Sequence, residues 1–177
     1  MAPAGEATPR LLFVCTGNAT RSVIGAALVL RAHPDWPVSS AGTLAVPGQP
    51  LGASTRRAMQ QVGLEPPRHH RSAALDGAEM SAADLVVGFE RHHVAYVRRR
   101  WPAAADRTAL LTTWVRLLPP AGAPLADRVA SLGLDRLEPD DLPDPEVDDP
   151  GGGPEAGYLR AAEEISALVA ALLPRLP

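Results

Sequence analysis

Leu11-Leu12-Phe13-Val14-Cys15-Thr16-Gly17-Asn18-Ala19-Thr20-Arg21-Ser22 is the stretch on which the fold turns. Its apolar head, bounded upstream by Pro9 and downstream by Thr16-Gly17-Asn18, reads as a short strand buried on both faces. Arg21 to Arg31 carries Ala, Val, Ile or Leu at most positions and no proline, which predicts a largely buried helix ended at His33-Pro34. Strand, tight turn and helix therefore follow one another within about twenty residues.

The same alternation continues outward. Val38 to Ala41 before Gly42 reads as a second strand, and Leu51 to Val62 as a helix stopped by Gly63. Asp84 to Phe89 is predicted as a third strand, Arg91 to Trp101 as a helix ended by Pro102, and Ala109 through Val115 as a fourth strand. Proline and glycine then become dense from Leu118 to Gly153, with a short helix expected at Leu125 to Leu132, before an alanine- and leucine-rich helix over Pro154 to Leu173. Strands alternating with helices predict an α/β fold of three layers, a four-stranded parallel sheet flanked by helices on both faces. The 177 residues, 46% hydrophobic and 21% charged, suit one domain over residues 1–177 with 1–8 a loose tail. No apolar run approaches the ~20 residues of a membrane span, and no basic-then-apolar leader opens the chain, so a cytoplasmic protein without a membrane partner is expected. Net charge is -3, which offers no basic excess for nucleic acid. The single cysteine, Cys15, excludes an internal disulfide and a thiolate-rich metal site.

In a parallel sheet, ligands sit beyond the C-terminal strand ends, and the turn Cys15 to Arg21 lies there. Backbone N–H groups at a helix start lack internal partners, and the helix dipole adds positive potential, so the turn is suited to a phosphate-like anion. Gly17 and Asn18 accept the left-handed conformations that curl successive amides toward one centre. Arg21 adds a planar fork for two anion oxygens. Every partial charge at the mouth favours the Cys15 thiolate, and the Ser22 hydroxyl can donate to that sulfur. Burial as a small hydrophobe would explain Cys15 alone, yet it leaves Arg21 and the Gly-Asn pair unexplained.

Cys15-Thr16-Gly17-Asn18-Ala19-Thr20-Arg21-Ser22 resembles the signature of the low-molecular-weight protein tyrosine phosphatases, Cys-x-Gly-Asn-x-x-Arg-Ser. Ser40-Ala41-Gly42-Thr43, His70-Arg71-Ser72 and Asp84-Leu85-Val86-Val87 are similar to further segments of that family, so the likeness covers most of the chain. The resemblance implies a phosphate-binding loop after strand one, built by Thr16, Gly17, Asn18, Ala19, Thr20, Arg21 and Ser22. It implies Cys15 as nucleophile, a phosphocysteine intermediate, and an Asp-Pro general acid nine residues before an aromatic residue. Two Asp-Pro pairs compete. Asp149-Pro150 places Tyr158 at the ninth position, whereas the same count from Asp144-Pro145 reaches Gly153, so Asp149 is preferred. Like-charge repulsion from Asp148, Asp144 and Glu146 favours the protonated form that a general acid needs. The resemblance also places His70 in a buried hydrogen-bond network with Asn18.

The expected activity is hydrolysis of a phosphorylated protein side chain or small molecule, releasing inorganic phosphate, with no metal and no cofactor. His69-His70 and His92-His93 are adjacent pairs that do not share a helix face, unlike a helical zinc site, and read as surface residues. Trp36, Trp101 and Trp114 are expected at the core's edges. The chain departs from the family pattern in two places. Thr20 stands where many relatives have a second cysteine, and Leu44-Ala45-Val46-Pro47 with Gly151-Gly152 replace the aromatic walls of a phosphotyrosine cleft. Two alternatives stay open: an arsenate reductase served by an external low-molecular-weight thiol, and a phosphate-binding module without turnover.

Overall fold

The computed structural model describes residues 7–177. Of the expected tail, residues 1–6 lie outside the described residues, while Ala7 and Thr8 are exposed and irregular. The strands are β1 (Leu11–Cys15), β2 (Val38–Gly42), β3 (Leu85–Gly88) and β4 (Thr108–Leu110), all parallel and ordered β2-β1-β3-β4. The α-helices are α1 (Arg21–Ala32), α2 (Ala53–Gln61), α3 (Gly77–Ala82), α4 (Arg91–Arg100), α5 (Leu111–Leu117), α6 (Leu125–Ala130) and α7 (Glu155–Leu172). This is the expected four-stranded parallel α/β architecture.

β1 is central because it is apolar on both faces. Leu11 and Phe13 face one layer, where α1, α2, α5 and α7 supply Ile24, Met59, Trp114 and Ile165. Leu12 and Val14 face the other, against Met80 of α3 and Val97 of α4. Cys15 continues the first set, so the strand's end delivers its sulfur beside the start of α1. The register pairs Cys15 with Gly42 and Val14 with Gly88. Glycine at Gly42 is needed for space, since a Cβ there would stand 2.6 Å from the Thr16 carbonyl oxygen and 2.9 Å from the Asn18 nitrogen.

Two expectations need correction, and one helix is not foreseen. The fourth strand ends at Leu110, and Leu111 to Val115 belongs to α5. Leu111, Trp114 and Leu118 are spaced for one helix face, and all three are fully buried by it. Trp114 is thus central rather than peripheral, with its indole N–H donating to the Val86 carbonyl at 3.1 Å. α3 is a helix that the sequence reading does not anticipate; Asp76 caps it by accepting from the N–H groups of Ala78 and Glu79 at 2.8 and 2.9 Å.

Candidate active site

The loop from Cys15 to Ser22 is shaped by where its carbonyl groups go. Cys15 and Thr16 oxygens accept from the N–H groups of Thr43 and Leu44, each at 2.9 Å. The Asn18 oxygen accepts from His70 Nε2 at 2.9 Å, that of Ala19 from the Thr55 hydroxyl at 3.1 Å, and that of Thr20 from the Ile24 N–H at 2.9 Å. A trans peptide carries its N–H opposite its C=O. Five carbonyls held outward therefore turn the N–H groups of Thr16, Gly17, Ala19, Thr20 and Arg21 toward the loop's centre, an anion cradle.

Asn18 is the pivot of this arrangement. It has φ 51°, the one positive value for a non-glycine among the described residues, and is fully buried. Its side chain accepts from the Ala73 N–H at 2.9 Å and donates to Ser40 at 2.9 Å and Ser22 at 3.1 Å. His70 does join Asn18, though through the main-chain carbonyl and from a half-buried position.

Cys15 Sγ lies 3.0 Å from Ser22 Oγ. Because Ser22 Oγ already accepts from Asn18, its own hydrogen is free to point at the sulfur. Arg21 is 1% exposed, and its guanidinium is held from three sides. Nη1 donates to Glu90 Oε2 at 2.5 Å and to the Val147 carbonyl at 2.9 Å, and Nη2 lies 3.1 Å from Asp149 Oδ2. Glu90 is a site residue that sequence reading misses. Its signal, an acid directly after the third strand, is too common to single out.

The two Asp-Pro candidates differ in kind. Asp144 is buried and takes two bonds from Arg116, 2.5 Å to Nε and 2.9 Å to Nη2, with the Thr113 hydroxyl at 2.7 Å. Those bonds, the Arg116 one foremost, hold its carboxyl below the usual range. Asp149 has a half-exposed side chain at the mouth, facing Arg21, and its Oδ1 accepts from the Gly151 N–H at 3.0 Å. The expected crowding of acids around Asp149 needs correction, because Asp144 is neutralised by Arg116 and Glu146 lies 3.2 Å from Arg91.

His92-His93 needs the opposite correction, since His93 is fully buried. Its Nδ1 faces the N–H groups of Phe89 at 3.3 Å and Glu90 at 3.1 Å. Burial, then the charges of His92 and Arg21, pull its pKa down to about 3. The ring is therefore neutral, with its proton on Nε2, 3.0 Å from Thr16 Oγ1. Glu90, His92 and His93 bring three ligand atoms within 4.8 Å of one another. An ion there would require His93 to give up its Nδ1 bonds and Glu90 to release Arg21.

Around the mouth, Leu44 and Val46 are 74% and 66% exposed, and Gly151 and Gly152 offer no side chain. Tyr158 OH accepts from the Gly152 N–H at 3.3 Å and so braces that loop.

Comparison with known proteins fits this geometry. The family model described as low molecular weight phosphotyrosine protein phosphatase matches residues 10–127. A protein-arginine-phosphatase of Geobacillus stearothermophilus is 29% identical over 94% of this chain and 95% of its own. The low molecular weight protein-tyrosine-phosphatase Etp of Escherichia coli K12 is 32% identical over 59% of this chain and 70% of its own. Among solved structures, the YwlE arginine phosphatase from Geobacillus stearothermophilus superposes with a TM-score of 0.72 at 29% identity, covering 93% of this chain and 90% of its own. With a match over most of its length and a thiol at the start of the loop after β1, the chain belongs to the low molecular weight phosphotyrosine protein phosphatase family and is a cysteine-based phosphatase.

Proposed function

We propose that Cys15 is the nucleophile, Arg21 and the loop from Thr16 to Ser22 hold the phosphoryl group, and Asp149 is the general acid and base. The observation that carries this reading is the buried Arg21 guanidinium, six residues after Cys15 and fixed by Glu90, the Val147 carbonyl and Asp149 Oδ2, the last at 3.1 Å. Cys15 Sγ attacks phosphorus in line, the S–P bond forms, and the bond to the leaving oxygen or nitrogen breaks as Asp149 supplies its proton. Charge on the equatorial oxygens falls on inward N–H groups and the Arg21 fork. Water then attacks the phosphocysteine, giving its proton to Asp149, and phosphate leaves. Ser22, aimed at the sulfur, eases departure of the thiolate.

The substrate in this reading is phosphoarginine in a protein rather than phosphotyrosine. A phenyl ring finds no aromatic wall at Leu44, Val46 or Gly151-Gly152, and the relative matching nearly the full length is named a protein-arginine-phosphatase. We place the protein in the cytoplasm, without metal, cofactor, nucleic-acid or membrane partner; no helix among the described residues is long and apolar enough to cross a membrane.

Hydrolysis of p-nitrophenyl phosphate by wild type but not by Cys15→Ser tests the chemistry. Paired peptides carrying phosphoarginine or phosphotyrosine test the substrate, with kcat/KM at least ~10-fold higher expected for phosphoarginine. Equal or reversed preference overturns the substrate assignment.

A further inference from the structure

The hydroxyl of Thr16, one residue from the sulfur, sits between two imidazoles. Thr16 Oγ1 is 3.0 Å from His93 Nε2 and 3.2 Å from His92 Nε2. His93 Nε2 carries its ring's only proton, so it donates and Thr16 accepts. Thr16 then has one hydrogen to give, and neutral His92 offers Nε2 to take it.

His92 differs from its neighbour in being open to solvent, with 57% of its side chain exposed, at the start of α4 and beside the mouth. The groups facing it are Thr16 from the loop, His93 with ring centroids 4.1 Å apart, and Glu90, whose Oε2 lies 4.0 Å from His92 Nδ1. Arg21 stands beyond Glu90, with Asp149 on its far side. When His92 gains a proton, both its nitrogens become donors. Thr16 then accepts from both rings, and its hydrogen must leave His92 for another acceptor.

We propose that His92 is a substrate-binding residue whose imidazolium form adds positive charge at the mouth and, by reversing its hydrogen bond to Thr16, turns the Thr16 hydroxyl into a donor for the bound phosphoryl group. The proposal rests on the reading of the Cys15 loop as the phosphoryl site. No covalent step is involved, only the redirection of one hydroxyl hydrogen. Binding of the anion and protonation of His92 are thereby coupled, each favouring the other. Glu90 supports the imidazolium while remaining bonded to Arg21, so both cations of the site share one carboxylate.

The test uses the full chain, inorganic phosphate and two variants, His92→Gln and Thr16→Val. NMR of the His92 ring should show its titration midpoint moving upward on saturation with phosphate, and Thr16→Val should shrink that movement. In steady-state hydrolysis of p-nitrophenyl phosphate, the KM of His92→Gln relative to wild type should grow about threefold or more between pH 8 and pH 5.5, with the loss on KM rather than kcat. A His92 titration indifferent to phosphate, or a KM ratio flat with pH, overturns the proposal. Wild type without turnover on any phosphate ester would instead overturn the phosphatase reading, and the ring titration would still decide the role of His92.

Discussion

Asp149 Oδ2 lies 3.1 Å from Arg21 Nη2, so the carboxyl expected to pass the proton rests on the same guanidinium expected to grip the phosphoryl oxygens. The carboxyl cannot be far from the departing atom when phosphorus sits in that fork. Asp149→Asn should lower kcat on aryl phosphates by about 10²–10³-fold and flatten the alkaline limb of the kcat/KM profile, where wild type loses the acid's proton. Asp144→Asn should keep most of kcat, because that carboxylate is spent on Arg116 and Thr113, and should instead cost about 1–3 kcal/mol of stability in urea unfolding. Swapped outcomes would move the general acid to Asp144.

Ser22 offers a way to separate the two chemical steps. Its oxygen accepts from Asn18 and its hydrogen is free to face Cys15 Sγ at 3.0 Å, so in the proposed mechanism it supports the sulfur as leaving group. Ser22→Ala should slow breakdown of the phosphocysteine more than its formation. Rapid-quench kinetics should show a burst of p-nitrophenol followed by a steady rate about 10-fold or more below wild type. A slow first turnover without a burst would place the serine in attack instead.

Much of this was legible in the sequence, and the limits are instructive. β1 and the loop after it announce themselves because a strand buried on both faces must be apolar at consecutive positions, and an anion loop must combine Gly, Asn and Arg in a short space. Counting to Tyr158 favours Asp149 over Asp144 as the candidate acid, whereas the Arg116 pairing that sets Asp144 apart joins residues 28 apart in the chain. Glu90 and His93 were illegible for the same cause. They reach Arg21 and Thr16 only because β3 lies beside β1, a pairing that no local pattern encodes. The fourth strand reads longer in the sequence than it is because Leu110-Leu111 is apolar under either periodicity, and only the burial of Trp114 shows that helix prevails.

His93 should make the fold sensitive to acid. Its folded-state pKa, about 3, lies below its ordinary 6.5, so between those values the unfolded chain binds a proton that the folded chain refuses. Its contribution is therefore intact above about pH 6.5 and declines as pH falls toward 3, by roughly 1 kcal/mol per pH unit. In urea unfolding, His93→Gln should be less stable than wild type at pH 7.5, and the gap should close as pH is lowered to 5. A gap constant with pH would mean that His93 titrates in the folded protein much as it does unfolded.

Gly25 and Gly42 are both tightly packed, but one bears on stability and the other on activity. A Cβ on Gly25 would stand 2.6 and 2.8 Å from carbon atoms of the Phe13 ring, a side chain locked in the core. Gly25→Ala therefore overpacks, and should cost about 1–3 kcal/mol of stability while the folded fraction keeps its kcat. A Cβ on Gly42 would instead press on the Thr16 carbonyl at 2.6 Å and the Asn18 nitrogen at 2.9 Å, which are main-chain atoms of the anion loop. They can yield only by turning the peptides whose N–H groups form the cradle, and the Cys15 and Thr16 carbonyls are tied to Thr43 and Leu44 immediately after Gly42. Gly42→Ala should accordingly weaken inorganic phosphate binding and lower kcat/KM by at least ~10-fold, even at temperatures where calorimetry shows the variant fully folded. Normal phosphate affinity in folded Gly42→Ala would mean that the cradle does not depend on how closely β2 approaches it.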